Sequence, residues 1–247
     1  MSEFNEFPRV IVLTSDKTLW SVQPLINQWQ MYAPGIPLDV FGYTEPIDPY
    51  FMQGETFHSI GKFENYPVKK WSNGVIEALQ SIDDDLVLVM MDDYWMVRNV
   101  DQDAISMARE YMETYPDIIR FDLTTDRLGD KHHDVESVGH YDIIQGDKGA
   151  SYNFSMQASI YRRKLMLEML VPDEDPWEAE LRGNVRLNAS PYRVVGTRQW
   201  PMRYIIAVNK GVLMLDGSWC VPPRKLSEHD IRNLYDMGMI PEGVKQA

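Results

Sequence analysis

The chain has 247 residues, 44% hydrophobic and 25% charged, which suffices for one sizeable core or at most two small domains. A net charge of −13 argues against bulk binding to nucleic acid or anionic lipid and leaves room only for a local basic groove. The single cysteine, Cys220, excludes an internal disulfide and a cysteine-rich zinc site. MSEFNEFPRV is too acidic for a secretory leader and no apolar run is long enough to span a bilayer, so a soluble, cytoplasmic protein is expected.

Arg9-Val-Ile-Val-Leu-Thr14 is a β-branched run that predicts a buried strand, closed by the polar Thr14-Ser15-Asp16. Over 18–32, Leu19, Val22, Leu25, Ile26 and Trp29 recur at helical spacing; Ala33-Pro-Gly-Ile-Pro37 stops that helix, and 38–42 predicts a second strand. This strand–helix–strand opening predicts an α/β protein with an open, mostly parallel (mixed) twisted sheet flanked by helices. A loop with Pro46, Pro49 and Pro67 leads to a helix over about 72–82, with Ser72 as its cap. Residues 86–91 (LVLVMM) predict the central strand, followed by a helix over 101–115 and a strand over 118–122. The polar stretch 124–150 is expected as a long mobile loop around a short strand at 141–145. A strand at 155–160 runs into a helix at about 161–170, and another helix starts near Pro176. Strand pairs around 192–196 and 204–214, the last turning at Asn209-Lys210-Gly211, precede a short tail helix from Ser227.

The segment DDDLVLVMMDDYWMV, residues 83–97, brackets the central strand with acids. Ligands of parallel α/β sheets collect beyond the carboxyl ends of the strands. Asp83, Asp84 and Asp85 lie at the amino end and read as a solvated connection; Asp92 and Asp93 leave the carboxyl end. Adjacent carboxylates repel each other. Either a hard divalent cation with oxygen ligands, Mg²⁺ or Mn²⁺, keeps the pair ionised, or the pair forms a turn in which Asp93 caps a nearby group.

Three stretches share a resemblance. MMDDYWMV resembles the hydrophobic–DDY–aromatic version of the DxD signature in bacterial and phage-encoded glycosyltransferases of the glycosyltransferase-A fold. SMQASIYRRKLMLEML followed by DPWEAELRGN, residues 155–184, is similar to a Gln-containing strand, helix and Pro-Trp-Glu-x-Glu box of the same group. With VIVLTSD at the start, the likeness touches most of residues 9–215. It departs from a strict Asp-x-Asp, since Met91 and Tyr94 flank the pair.

The resemblance implies a single domain over 1–247, with a nucleotide-binding half at about 9–100, an acceptor and catalytic half at about 101–219 and a tail helix at about 227–237. It implies transfer of a sugar from a nucleotide-sugar donor, a UDP-sugar for preference, to a glycan or other hydroxyl acceptor. Asp93 would coordinate Mn²⁺ or Mg²⁺, with Asp92 supporting it or touching the nucleotide. Thr14, Ser15 and Asp16 would face the nucleoside. Lys69, Lys70 and Trp71 stand before a helix start, which suits an anionic phosphate; solvated loop charges are the alternative for both lysines. Tyr94, Gln157 and Trp177 would meet substrate, and Trp177 equally suits a helix anchor. Inversion would need a general base. Asp175-Pro-Trp-Glu178 reads as a capping box, so Glu178 already has a structural role, and Glu180, two positions on, is the first candidate with Glu178 second.

Other features carry less. His132-His133-Asp134 read as solvated loop residues or metal ligands, His229 as a tail-helix residue able to reach back, and Arg162 and Arg163 as surface arginines or a phosphate contact. There is no GxSxG elbow, P-loop or GxGxxG. Two alternatives stay open: a nucleotidyltransferase, although LTSDK is not a Gly-rich phosphate loop, and a catalytically silent binding module of the same fold. A modified DNA base as acceptor is disfavoured by the charge.

Overall fold

Successive residues of the first strand belong to different cores. Val10 and Val12 of β1 (Arg9–Leu13) pack into one apolar cluster, Ile11 and Leu13 into another, so this strand lies in a sheet covered on both faces. The computed structural model describes residues 7–46, 55–124, 126–209, 212–215 and 225–246. After β1 come α1 (Val22–Tyr32), β2 (Asp39–Gly42), β3 (Thr56–Ser59), α2 (Trp71–Gln80), β4 (Leu86–Met91), β5 (Tyr94–Met96), α3 (Gln102–Thr114) and β6 (Ile118–Asp122). Then follow β7 (His132–Val138), β8 (Tyr141–Gly146), β9 (Ser159–Arg162), α4 (Arg163–Met169), α5 (Pro176–Ala189) and β10 (Arg193–Thr197). The last elements are β11 (Tyr204–Ile206), β12 (Val208–Asn209), β13 (Val212–Leu213), α6 (Glu228–Asp236) and β14 (Lys245–Gln246).

Nine strands form one mixed sheet in the order β3-β2-β1-β4-β9-β6-β10-β8-β7. The β3-β2-β1-β4 half is parallel, while β9 and β8 run against their neighbours. Residues of α1 and α3 fill one face; α2, α4 and α5 cover the other. This is a single α/β domain with helices on both sides of a mixed sheet. No helix among the described residues is long and apolar enough to cross a membrane.

Helix α5 is pinned at both ends. Asp175 accepts the Glu178 N–H at 2.8 Å and Glu178 reaches back to the Asp175 N–H at 3.3 Å, the expected capping box. At the other end Lys148 Nζ donates to the carbonyls of Ser190 and Tyr192, both at 2.7 Å, which offsets the negative end of the helix. Gly183 lets the helix approach: a Cβ there would stand 2.4 Å from the Phe154 ring.

The structure corrects several expectations. Residues 132–146 form a β-hairpin (β7–β8) turning at Gly139, φ +61°: β8 is the short strand expected at 141–145, whereas β7 lies where a mobile loop was expected, an edge strand exposed along most of its length that therefore lacks apolar alternation. The polar edge strand β3 sits in the expected 43–71 loop, hidden for the same reason. β5 follows the acid pair at once and pairs antiparallel with β11, and β10 joins the main sheet between β6 and β8. A 3-10 turn at Leu19–Ser21 delays α1, and α2 begins at Trp71 with Lys70 before it, so Ser72 lies inside the helix. Of the expected turn, Asn209 ends β12, while Lys210 and Gly211, like Cys220, lie outside the described residues.

Asp83–Asp85 are exposed, as read from the sequence, but not merely solvated. Arg9 bonds Asp84 at 3.2 Å, Arg162 bonds Asp85, and Arg163 Nε donates to the Asp84 carbonyl at 2.7 Å. Both arginines thus serve the amino end of β4, away from the acid pair. Arg9 Nε also donates to Asp39 at 2.7 Å, with the His58 ring nitrogen 2.6 Å from the other carboxylate oxygen. Burial pushes the Asp39 carboxyl upward, but these bonds outweigh it and hold it below its ordinary value. A depressed carboxyl stabilises the fold above its unfolded pKa of about 3.9, and that contribution fades as pH falls through the folded value. Asp39→Asn is therefore expected to lower Tm at neutral pH by a margin that shrinks below about pH 4. Equal margins in melting curves at both ends of that range would contradict the assignment.

Candidate functional site

Because β1 and β4 are parallel neighbours, with Leu13 beside Met91, their carboxyl ends emerge together. The Asp92 N–H donates to the Leu13 carbonyl at 3.1 Å, carrying the ladder one residue further. Thr14 Oγ1 then donates to Asp92 Oδ2 at 2.6 Å. From beneath, Ser21 Oγ donates to the Asp92 carbonyl and receives the Trp95 indole N–H, each at 3.0 Å. Asp92 is only 4% exposed. Burial pushes its carboxyl up to about 6 in spite of the threonine hydrogen bonds. The Asp93 carboxyl is raised well above its ordinary value, by burial and then by the charge of Asp92.

Above Asp92 opens a cleft of about 270 Å³. Thr14, Ser15, Lys17, Thr18 and Asp92 give it a polar end; Tyr43, Phe63, Tyr66, Trp71 and Trp177 wall it with rings. Tyr43 stacks on Tyr66 at 4.9 Å between centroids and tilts against Phe63 at 5.5 Å. A Cβ at Gly74 would come within 2.7 Å of the Tyr43 hydroxyl, so glycine there gives the ring its seat. Trp71 and Trp177 come from the first turns of α2 and α5, which both start at this end of the sheet.

A second cluster adjoins the acid pair. The β4–β9 ladder ends with Val89 paired to Ser159, and Gln157 lies two residues before that end of β9. Tyr94, next to Asp93, donates its hydroxyl to the Met156 carbonyl at 3.2 Å, and the Met156 N–H donates to Glu180 Oε1 at 2.6 Å. Tyr94 stacks on Tyr204 at 4.4 Å, and Tyr204 donates to Gln157 Oε1 at 2.5 Å. The loop before β9 is strapped from within the core. Arg120 and Arg127 donate to the Tyr152 carbonyl at 2.9 and 2.7 Å, with Tyr152 at φ +53° turning that carbonyl inward.

Of the residues singled out in the sequence, Thr14, Ser15, Trp71, Asp92 and Trp177 meet in the cleft, while Tyr94, Gln157 and Glu180 meet in the adjoining cluster. Others are elsewhere or engaged. Asp16 is bonded to Thr44, at 2.6 Å through its hydroxyl. Lys70 is exposed, and the Ser72 N–H of the helix it precedes already donates to the Glu174 carbonyl at 3.0 Å. Glu178 is committed to its capping box and to Arg182 at 2.8 Å. His132–Asp134 lie on β7, with His133 2.6 Å from Asp147 and Asp134 bonded to Arg198; His229 sits on exposed α6 beside Asn233. Sequence reasoning missed Lys17, Thr18, Tyr43, Phe63, Tyr66 and Tyr204. Only Tyr43 carried a signal, as the residue directly after β2.

Among the described residues no group of three or more His, Cys, Asp or Glu is gathered as a metal cage. Two abutting carboxylates fit a hard cation of the Mg²⁺ type, which takes one or two protein carboxylates and completes its shell with phosphate oxygens and water.

Fold and site together define an α/β protein with a ring-walled cleft that ends on the buried Asp92. No protein-family model and no curated protein matches the chain. Among solved structures it is similar to a UDP-glucose pyrophosphorylase complexed with UDP-glucose, at TM-score 0.47 and 7% identity, over 81% of this chain and 93% of that one. It is also similar to S. aureus TarS 1-349, at 0.45 and 11% over 75% and 59%, and to the galactosyltransferase LgtC in complex with donor and acceptor sugar analogs, at 0.39 and 10% over 76% and 72%. At these scores the likenesses carry no argument about the chemistry of the site.

Proposed function

We propose that the protein transfers a sugar from a nucleotide-sugar donor, a UDP-sugar for preference, to a hydroxyl acceptor with inversion. The observation that supports this most is the cleft itself: a ring-walled slot suited to a flat base, whose polar end is Asp92. Thr14, Ser15 and Thr18 offer hydroxyls to the nucleoside. Asp93 and Asp92 would hold a divalent cation, which when bound supplies electrostatic stabilisation of the departing diphosphate.

Glu180 is the general base in this reading. Glu178 is engaged at the helix start, whereas Glu180 reaches the Met156 N–H next to Gln157. In the transfer, the acceptor oxygen forms a bond to the anomeric carbon as that carbon's bond to the diphosphate oxygen breaks. The acceptor proton passes to Glu180, and the nucleoside diphosphate leaves with the bonding electrons. Glu180→Gln retains an oxygen for the Met156 N–H but cannot take the proton. It is expected to bind UDP as the wild type does and to lose about 10²- to 10⁴-fold in transfer rate. Release of UDP from a panel of UDP-sugars, with and without simple glycoside acceptors, checks this. A wild type that binds donors yet never releases UDP would be a silent binding module.

A further inference from the structure

The Tyr204 hydroxyl has one proton, and its use is decided by its neighbours. The Ala158 N–H donates to the phenol oxygen at 3.1 Å, so the phenol acts as acceptor there. Its own proton goes to Gln157 Oε1 at 2.5 Å. Exchanging the two ends of the Gln157 amide would give up that bond and make the phenol, which already takes the Ala158 N–H, accept a second N–H. The Gln157 backbone is held as well: its carbonyl accepts from Ser159 Oγ at 2.8 Å, and Ser159 Oγ accepts from the buried Arg120 Nε at 2.8 Å. Tyr204 is itself fixed by stacking on Tyr94, the neighbour of Asp93.

We infer that Tyr204 is a positioning residue, which turns Gln157 so that its Nε2 amide group is presented as a donor to an oxygen of the sugar portion of the substrate. The inference rests on the donor-site reading above and adds to it the polarity of the group beside the acid pair. A position of fixed donor character selects a hydroxyl or other lone-pair oxygen and rejects an ammonium.

Binding of UDP and of a panel of UDP-hexoses and UDP-N-acetylhexosamines in Mn²⁺ tests this, with wild type, Tyr204→Phe, Gln157→Ala and the double variant. The readout is the ratio of Kd for UDP to Kd for the tightest nucleotide sugar. Each single variant is expected to lower that ratio about three- to tenfold, and the double variant no further than Gln157→Ala alone. Gln157→Glu, which keeps an oxygen for Tyr204 but offers a carboxylate where the amide donated, is expected to lower it at least as much at neutral pH. Losses that add, or a Tyr204→Phe loss that is the same for UDP as for the nucleotide sugar, would overturn the inference while leaving the donor site standing; Tyr204 would then be packing for Tyr94. No binding of any nucleotide by a folded wild type would overturn both.

Discussion

Asp122→Asn is expected to destabilise the protein by about 3–5 kcal/mol, the usual cost of removing one member of a buried ionic network. Asp122, Arg120 and Arg127 are each no more than 1% exposed. One carboxylate serves two guanidinium groups: Arg120 at 3.5 Å and Arg127 Nε at 4.0 Å. It also accepts the Thr124 and Arg127 N–H groups, both at 3.0 Å. Asparagine retains the volume and one acceptor oxygen but removes the carboxylate charge that Arg120 and Arg127 share. Set against a typical total of about 5–15 kcal/mol, the loss is a large share of what holds the domain together. Denaturant melts should show a lower midpoint at unchanged slope. Arg127→Met, which leaves one cation to one anion, is expected to cost less. A neutral Asp122→Asn would mean that the hydrogen bonds, and not the charge, hold the network. The same network straps the loop that carries Gln157, so this buried charge cluster also supports the candidate site.

Asp93→Asn is expected to act in opposite directions on stability and on binding. Burial raises both carboxyls at this strand end, and the charge of Asp92 raises Asp93 further. Neutralising one should therefore raise Tm in chelator by the equivalent of about 1–3 kcal/mol, while lowering Mn²⁺-dependent nucleotide affinity at least tenfold. Paired melting curves, with Mn²⁺ and with chelator, read both effects. A variant that is less stable in chelator would show that Asp93 caps a turn and is not held against repulsion.

The parallel half of the sheet was legible because its strands are buried on both faces: LVLVMM and RVIVL are continuous apolar runs that no surface element would carry. The chain order of strand, acid pair and capped helix then placed Asp92 and Trp177 at the same end of the sheet. Edge strands were not legible. β7 exposes most of its side chains and β3 fully buries none, so their membership rests on backbone hydrogen bonds that composition does not reveal. The cleft was half legible. Thr14, Ser15 and Asp92 follow strand ends and announce themselves; Phe63 and Tyr66 come from an irregular loop whose path depends on Gly74 and Tyr43 packing across it. The capping-box pattern already assigned Glu178 its structural role, which its bonds to Asp175 and Arg182 bear out.

The central claim is a cation-dependent nucleotide site on Asp92 and Asp93. Its most direct test is calorimetric titration of the wild type with UDP, GDP and CDP, each with and without Mn²⁺. The uridine nucleotide is expected to bind, only with the cation present, and Asp93→Ala to abolish that dependence. Absence of binding by all three, or binding of equal strength with and without Mn²⁺, would contradict it.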